Sequence, residues 1–271
     1  MQKIISSDGQ NGDQFGDAVS ISDKFAIVGA PQAIVNNCGR AYFFQLRENN
    51  WTEFQKIDGS NSDHLGKAVS ICNNYAIVGI PDQDHGSTNP NVGYARIFKY
   101  ENESFEALIS KTHYVKYQQF GSSVFISDNY AIIGTGNHTT AEIFQKYENS
   151  WSIVKTINVN VYSVSIADEY AIIGGNNVVY IYKNNSGNWD QITSFINLDS
   201  CNFGHSVGIS NNIYIIGAYG KNNNKGTVYI NTINQVKNCQ LTGYVLDQFN
   251  QPIEGMTIHS KLYGHTVTDN K

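Results

Sequence analysis

The 271-residue chain carries 18 Lys and Arg against 23 Asp and Glu, a net charge of −5. Nothing in that balance points to nucleic acid or an anionic membrane surface as a partner, since both call for basic patches. Charged residues make up only 15%, whereas 17 Tyr, 13 Phe and 24 Gly stand out, the composition of a β-rich chain with many turns.

No apolar run approaches the roughly 20 residues of a spanning helix, so no membrane insertion is expected in this segment. The opening MQKIISSDG has no apolar stretch long enough for a signal peptide.

In chain order, the first feature is the segment FGDAVSISDKFAIVGAP at residues 15–31. It returns as LGKAVSICNNYAIVGIP (65–81), FGSSVFISDNYAIIGTG (120–136), NVYSVSIADEYAIIGG (160–175) and FGHSVGISNNIYIIGAYG (203–220). Val19 and Ile21 alternate with Ser20 and Ser22, which predicts a first strand with one apolar face. FAIVG is continuously apolar, as a central strand covered on both faces requires. The pairs Asp23-Lys24, Asn73-Asn74, Asp128-Asn129, Asp168-Glu169 and Asn211-Asn212 predict two-residue hairpin turns.

A second segment follows each copy, at 39–46, 93–100, 140–147, 177–183 and 226–233. A third opens on Trp51, Phe105, Trp151 or Trp189, aromatics that are expected to wedge between neighbouring units. One unit thus reads as four strands, at the spacing of about 40 to 55 residues found in propeller blades. Gly16, Gly66, Gly121 and Gly204 fit places where inner strands crowd and a Cβ would clash.

The fold class expected is all-β, a β-propeller of four-stranded blades. The last copy has no fourth strand of its own after GTVYINTI, yet the N-terminal MQKII matches FQKI at 54–57. Residues 1–5 are therefore expected to pair with the blade of 203–233 and close a ring of five blades. The alternative is a fragment of a seven-bladed ring.

The Phe-Gly opening and Gly-Ala-Pro close of residues 15–31 resemble the FG-GAP repeat of integrin-α-type β-propellers, in its bacterial form. The resemblance covers residues 1–236. It implies an extracellular or cell-surface module for binding and adhesion, with a protein or glycan partner. Calcium-binding members of that family carry a long D-x-D-x-D-G loop between the first two strands, and a calcium cage needs about six or more oxygen ligands. Here the link is a two-residue turn in every copy, so family-type calcium loops, and with them a cofactor, are not expected. After a linker at 237–240, residues 241–271 resemble the start of a carboxypeptidase regulatory-like β-sandwich and are expected to form part of one.

Chemistry is sparse. Cys38, Cys72, Cys201 and Cys239 form no CxxC pair, the histidines are scattered, and neither Ser nor Cys sits in a nucleophile elbow, so no catalytic residue is named. The longest loop after a second strand, residues 81–93, supplies the candidate binding residues Asp82, Asp84, His85, Asn89 and Asn91. Asp82 and Asp84 are its candidate metal pair, although no metal is expected. A carbohydrate-active enzyme on the same face and a structural spacer in a large surface protein are the alternatives to a binding module.

Overall fold

The computed structural model describes residues 2–60, 62–86, 90–112, 115, 117–137, 139–148, 150–199 and 201–233, and the strands at 257–260 and 267–270. The chain divides into two compact units, Met1–Ile233 and Asn234–Lys271.

The first unit is a succession of antiparallel sheets, each built from one copy of the repeat. Sheet one contains β1 (Ala18–Ser22), β2 (Phe25–Ala30), β3 (Arg40–Arg47) and β4 (Asn50–Asp58) in that spatial order. Sheet two contains β5 (Val69–Cys72), β6 (Tyr75–Ile80), β7 (Tyr94–Glu101) and β8 (Ser104–Lys111). Sheet three contains β9 (Phe120–Ile126), β10 (Tyr130–Thr135), β11 (Ala141–Tyr147) and β12 (Ser150–Ile157). Sheet four contains β13 (Ser163–Ile166), β14 (Tyr170–Gly174), β15 (Val178–Asn185) and β16 (Asn188–Ile196). Sheet five has three strands among the described residues, β17 (Phe203–Ser210), β18 (Ile213–Ala218) and β19 (Thr227–Thr232).

The local reasons are those of the repeat. Asp23, Asn73 and Asn211 take positive φ in the first hairpin turn, a conformation that Asp and Asn tolerate better than most residues. In sheets two to four the second strands are buried on both faces because each sheet packs against the one before and the one after, whereas β18 of sheet five is covered on one face. The third and fourth strands share a further feature, a register shift at Phe43/Phe44, Ile97/Phe98, Ile143/Phe144 and Ile181/Tyr182. These are equivalent positions, so the bulge and the extra twist it gives belong to the repeat.

Aromatic side chains fill the space between sheets. Phe105 of β8 packs against Phe25 and Phe43 of sheet one, with ring centroids 5.3 and 4.6 Å apart. Trp151 of β12 meets Tyr75 of sheet two at 5.9 Å, and Trp189 of β16 meets Tyr130 of sheet three at 5.1 Å. The outer strands of sheets two to four thus send their opening aromatics into the preceding sheet, and Phe105, Trp151 and Trp189 are all buried.

The expected ring closure is corrected. Residues 2–6 lie in no strand, and the free edge of β19 does not receive them. Instead the Gln2 side chain lies on sheet one, where its Nε2 donates to the Trp51 carbonyl at 2.9 Å and its Oε1 accepts from the Trp51 N–H at 2.7 Å. Ile4 packs beside Val28, Ala30 and Tyr42. The physical reason is that this face of sheet one has apolar side chains to cover, and the nearest chain covers them.

In the second unit, β20 (Thr257–Ser260) pairs antiparallel with β21 (Val267–Asn270). The rest of the expected partial sandwich at 241–271 lies outside the described residues, as does the linker at 237–240.

Candidate functional site

The turns that leave the second strands of sheets one and two bring Pro31-Gln32 and Pro81-Asp82 to equivalent places. The Gln32 N–H donates to the Asp13 carbonyl at 3.3 Å, and the Asp82 N–H donates to the Asp63 carbonyl at 3.4 Å. Asp63 is itself buried and accepts from the Ser60 N–H and hydroxyl at 3.2 and 2.9 Å, which fixes the link that precedes sheet two.

Opposite these turns stand the residues just before each Phe-Gly or Leu-Gly. Gln14, His64, Gln119 and Asn202 all have positive φ, at 57, 53, 51 and 55°. Non-glycine residues held there cost of order 1 kcal/mol or more and persist only where surrounding contacts over-determine them. Here they project Gln14, His64 and Gln119 onto the same face as the proline turns.

The result is a cavity of 280 Å³ lined by Gln14, Gln32, His64, Lys67, Asp82, Gln119 and Ser122, with Pro31 and Pro81 at its wall. Asp82 is at its centre. Its Oδ2 lies 2.8 Å from His64 Nδ1, and its Oδ1 accepts from Gln119 Nε2 at 2.6 Å. Lys67 is held 2.9 Å from Asp17. Side chains from the approaches to sheets two and three therefore meet at one carboxylate, and Gln14 from the approach to sheet one lines the same cavity.

The other candidates of the 81–93 loop do something different. Asp84 Oδ1 accepts from the Asn91 N–H at 2.8 Å, which ties the base of the loop. His85 Nδ1 lies 2.5 Å from the Tyr94 hydroxyl. Asn89 lies outside the described residues. Asp82 and Asp84 are thus engaged by separate partners, and among the described residues no three His, Cys, Asp or Glu side chains are placed to hold a metal ion.

Gln32 also borders a second cavity of 620 Å³, lined by Asp8, Gln10, Asn11, Asp13, Asn37 and Arg40. Arg40 on β3 pairs with Asp8 at 2.6 Å and with Asp58 of β4. Lys56 and the Tyr42 hydroxyl also reach Asp8. The Lys56 ammonium above all holds the Asp8 carboxyl down at about 2, against the opposing effect of burial and with smaller help from Tyr42 and Arg40. Burial pushes the Tyr42 phenol up.

The sequence pointed to Asp82 through its loop and did not point to Gln14, His64, Gln119 or the Asp8–Arg40 cluster. The available signal was the polar residue standing immediately before each Phe-Gly or Leu-Gly.

The sequence family described as FG-GAP repeat matches residues 1–44, from the N-terminal segment to Phe44 in β3. No curated protein matches the chain. Among solved structures, the fold is similar to that of the computationally designed Ika8 protein, with a TM-score of 0.51 and 13% identity. The likeness covers 74% of this chain and 55% of that one, so the present chain spans little more than half of its length. Among the described residues no helix is long and apolar enough to cross a membrane. The FG-GAP match supports the repeat, a type that is typically extracellular, and in general terms it suggests a binding or adhesion module.

Proposed function

We propose that this protein is a non-catalytic, propeller-type binding module that works outside the cell or at its surface and takes a protein or glycan partner on the face of the proline turns. The observation that carries this reading is the convergence of Gln14, His64 and Gln119, each held at positive φ, on the cavity around Asp82. Amides, a hydroxyl, an imidazole and a carboxylate in one shallow site supply both donors and acceptors. Such a set suits the hydroxyl groups of a glycan or the polar backbone and side chains of a protein loop. The Asp82 carboxylate already has His64 and Gln119 on its oxygens, which favours a positioning and recognition role over proton transfer. Pro81 and Asp82, at the start of the 81–93 loop, line the cavity.

The test is retention of the intact chain on glycan arrays and on extracellular-matrix proteins, compared with Asp82→Ala and Gln119→Ala. Loss of binding by tenfold or more in both variants, at unchanged melting temperature, supports the site. Unchanged binding in both variants, or turnover of a polysaccharide abolished by Asp82→Ala, overturns the reading.

A further inference from the structure

The interface between successive sheets is one device repeated four times. Each sheet has a leading face, turned to the sheet before it, and a trailing face, turned to the sheet after it. The leading faces of sheets two to five bury Val69, Ile71, Val124, Ile126, Val164, Ile166 and Ile209. The trailing faces of sheets one to four bury Ile27, Ile77, Ile132 and Ile172 in the second strands, and Phe43, Ile97, Ile143 and Ile181 in the third. Serines stitch the seams, for Ser20, Ser70 and Ser165 accept the backbone N–H groups of Ile71, Ile126 and Ile209 at 3.0, 3.1 and 3.2 Å.

Both halves of this interface are uncovered at the ends of the series. On the leading face of sheet one, Val19 and Ile21 are 68% and 66% exposed, although they are equivalent to Val69 and Ile71. On the trailing face of sheet five, Ile215 and Ile230, equivalent to Ile27 and Phe43, are 43% and 68% exposed, with Ile213 and Val228 beside them. Within one copy neither end covers the other.

The N-terminal segment supplies a second sign. Gln55 of β4 spans the seam between sheets one and two, donating to the Phe105 carbonyl at 2.8 Å and accepting from its N–H at 2.6 Å. Gln2 makes the same pair of bonds to Trp51. Residues 2–4 therefore stand where the outer strand of a preceding sheet would stand, and no sheet of the described residues lies behind them. Sheet five has the converse lack. It has no described outer strand, and a groove of 520 Å³ lined by Phe195, Ile196, Tyr229, Ile230 and Asn231 runs along the edge of β19.

We propose that a second copy of this chain docks head to tail. Ile213, Ile215, Val228 and Ile230 of one copy cover Val19 and Ile21 of the other, and residues 2–4 of the second copy add as the fourth strand of the first copy's sheet five. The occupant follows from continuity with the interface already inside the chain, since each exposed end carries the half that the other end lacks. The register also follows. In sheet one Ala41 faces Ile57 and Phe43 faces Gln55, so Val228 faces the partner's Ile4 and Ile230 faces the partner's Gln2. Such an interface is heterologous and gives a ring if the rotation closes and a linear series of copies if it does not. The strand addition is a form of β-augmentation.

The experiment measures the mass of the intact chain in solution for the wild type, Ile21→Asp and Ile215→Asp. Both positions are exposed in a single copy, and circular dichroism confirms that each variant is folded; Val19→Asp and Ile230→Asp replace either that is not. The expected result is a wild type that is dimeric or larger, two monomeric variants, and a one-to-one dimer when the variants are mixed. A monomeric wild type at every concentration, or self-association of either variant alone, overturns the proposal. Strand addition is read by oxidative cross-linking of Lys3→Cys in one copy to Tyr229→Cys in another, against single-variant controls for the native cysteines. A cross-linked dimer in the mixture is expected, and a cross-link found only within one doubly substituted chain overturns it.

Discussion

Gly29, near the end of β2, lies so close to Gly66 at the head of the next repeat that a Cβ on it would stand 1.9 Å from the Gly66 carbonyl oxygen. The same 1.9 Å separation recurs between Gly79 and Gly121 and between Gly174 and Gly204. Backbone thus meets backbone at every seam where Phe-Gly or Leu-Gly is kept. Gly79→Ala is expected to destabilise the fold by about 1 to 3 kcal/mol, because no flexible side chain is there to give way. Urea denaturation measures it. At Gly134 the neighbour is instead a Val161 methyl, 2.6 Å from the added Cβ, since the fourth repeat has Asn160-Val161 in place of Phe-Gly. Gly134→Ala should therefore cost less than Gly79→Ala, and equal costs would show that backbone contact does not set the spacing of the sheets.

Trp151 is buried between sheets two and three, and among the described residues its indole N–H has no hydrogen-bond partner. Its contribution is therefore packing, with none from its polar atom. Trp151→Ala is expected to cost about 3 to 5 kcal/mol, whereas Trp151→Phe, which keeps an aromatic ring in the wedge, is expected to cost under about 1.5 kcal/mol. Paired unfolding curves for the two variants decide it, and a Phe variant as unstable as the Ala variant would contradict the wedge.

Much of this architecture was legible in the chain itself, because Val19-Ser20-Ile21-Ser22 and its sisters state a strand, a face and a turn by side-chain type alone. The position of residues 2–5 was legible only halfway. Their likeness to 54–57 is matched in one respect, since Gln2 bonds Trp51 as Gln55 bonds Phe105, but residues 2–6 form no strand, and identical strand chemistry suits any seam of a repeat protein. Here the segment lies against Trp51. Sheet five hides its difference in one residue. Tyr214 stands where sheets one to four have Ala26, Ala76, Ala131 and Ala171, and it stacks on Phe195 of β16 at 5.8 Å. The cavity around Asp82 was obscured for a conformational reason. Positive φ at Gln14, His64 and Gln119 is a property of the backbone that composition does not reveal.

The Asp8 cluster gives the fold an acid-sensitive point. A carboxyl depressed to about 2 in the folded chain, from an ordinary value of 3.8, contributes stability that is fully present above about pH 4. That contribution is lost as the pH falls from there through about 2. Asp8→Asn should therefore lower the urea midpoint at neutral pH, and the gap to wild type should narrow progressively between about pH 4 and pH 2. In Lys56→Met the Asp8 titration observed by NMR should move up toward 3.8, since Lys56 is its strongest partner. A midpoint gap that stays constant with pH would mean that Asp8 acts through loop geometry and not through its charge.

Cys72 closes β5 beside the carboxylate of Asp128 in the neighbouring sheet, and Asn73 next to it donates to that same carboxylate. Burial first, and the negative charge of Asp128 next, push the thiol up to about 12. Because the thiolate is the nucleophile, Cys72 in the folded chain should be alkylated by iodoacetamide at pH 8 at least tenfold more slowly than in urea. Peptide mass spectrometry reads the rate at this residue alone. Asp128→Asn removes the nearby charge while keeping the size of the side chain, so it should raise the rate in the folded chain and leave the rate in urea unchanged. If the folded-state rate does not move, burial alone protects the thiol, and the seam between sheets two and three carries no electrostatic coupling at this position.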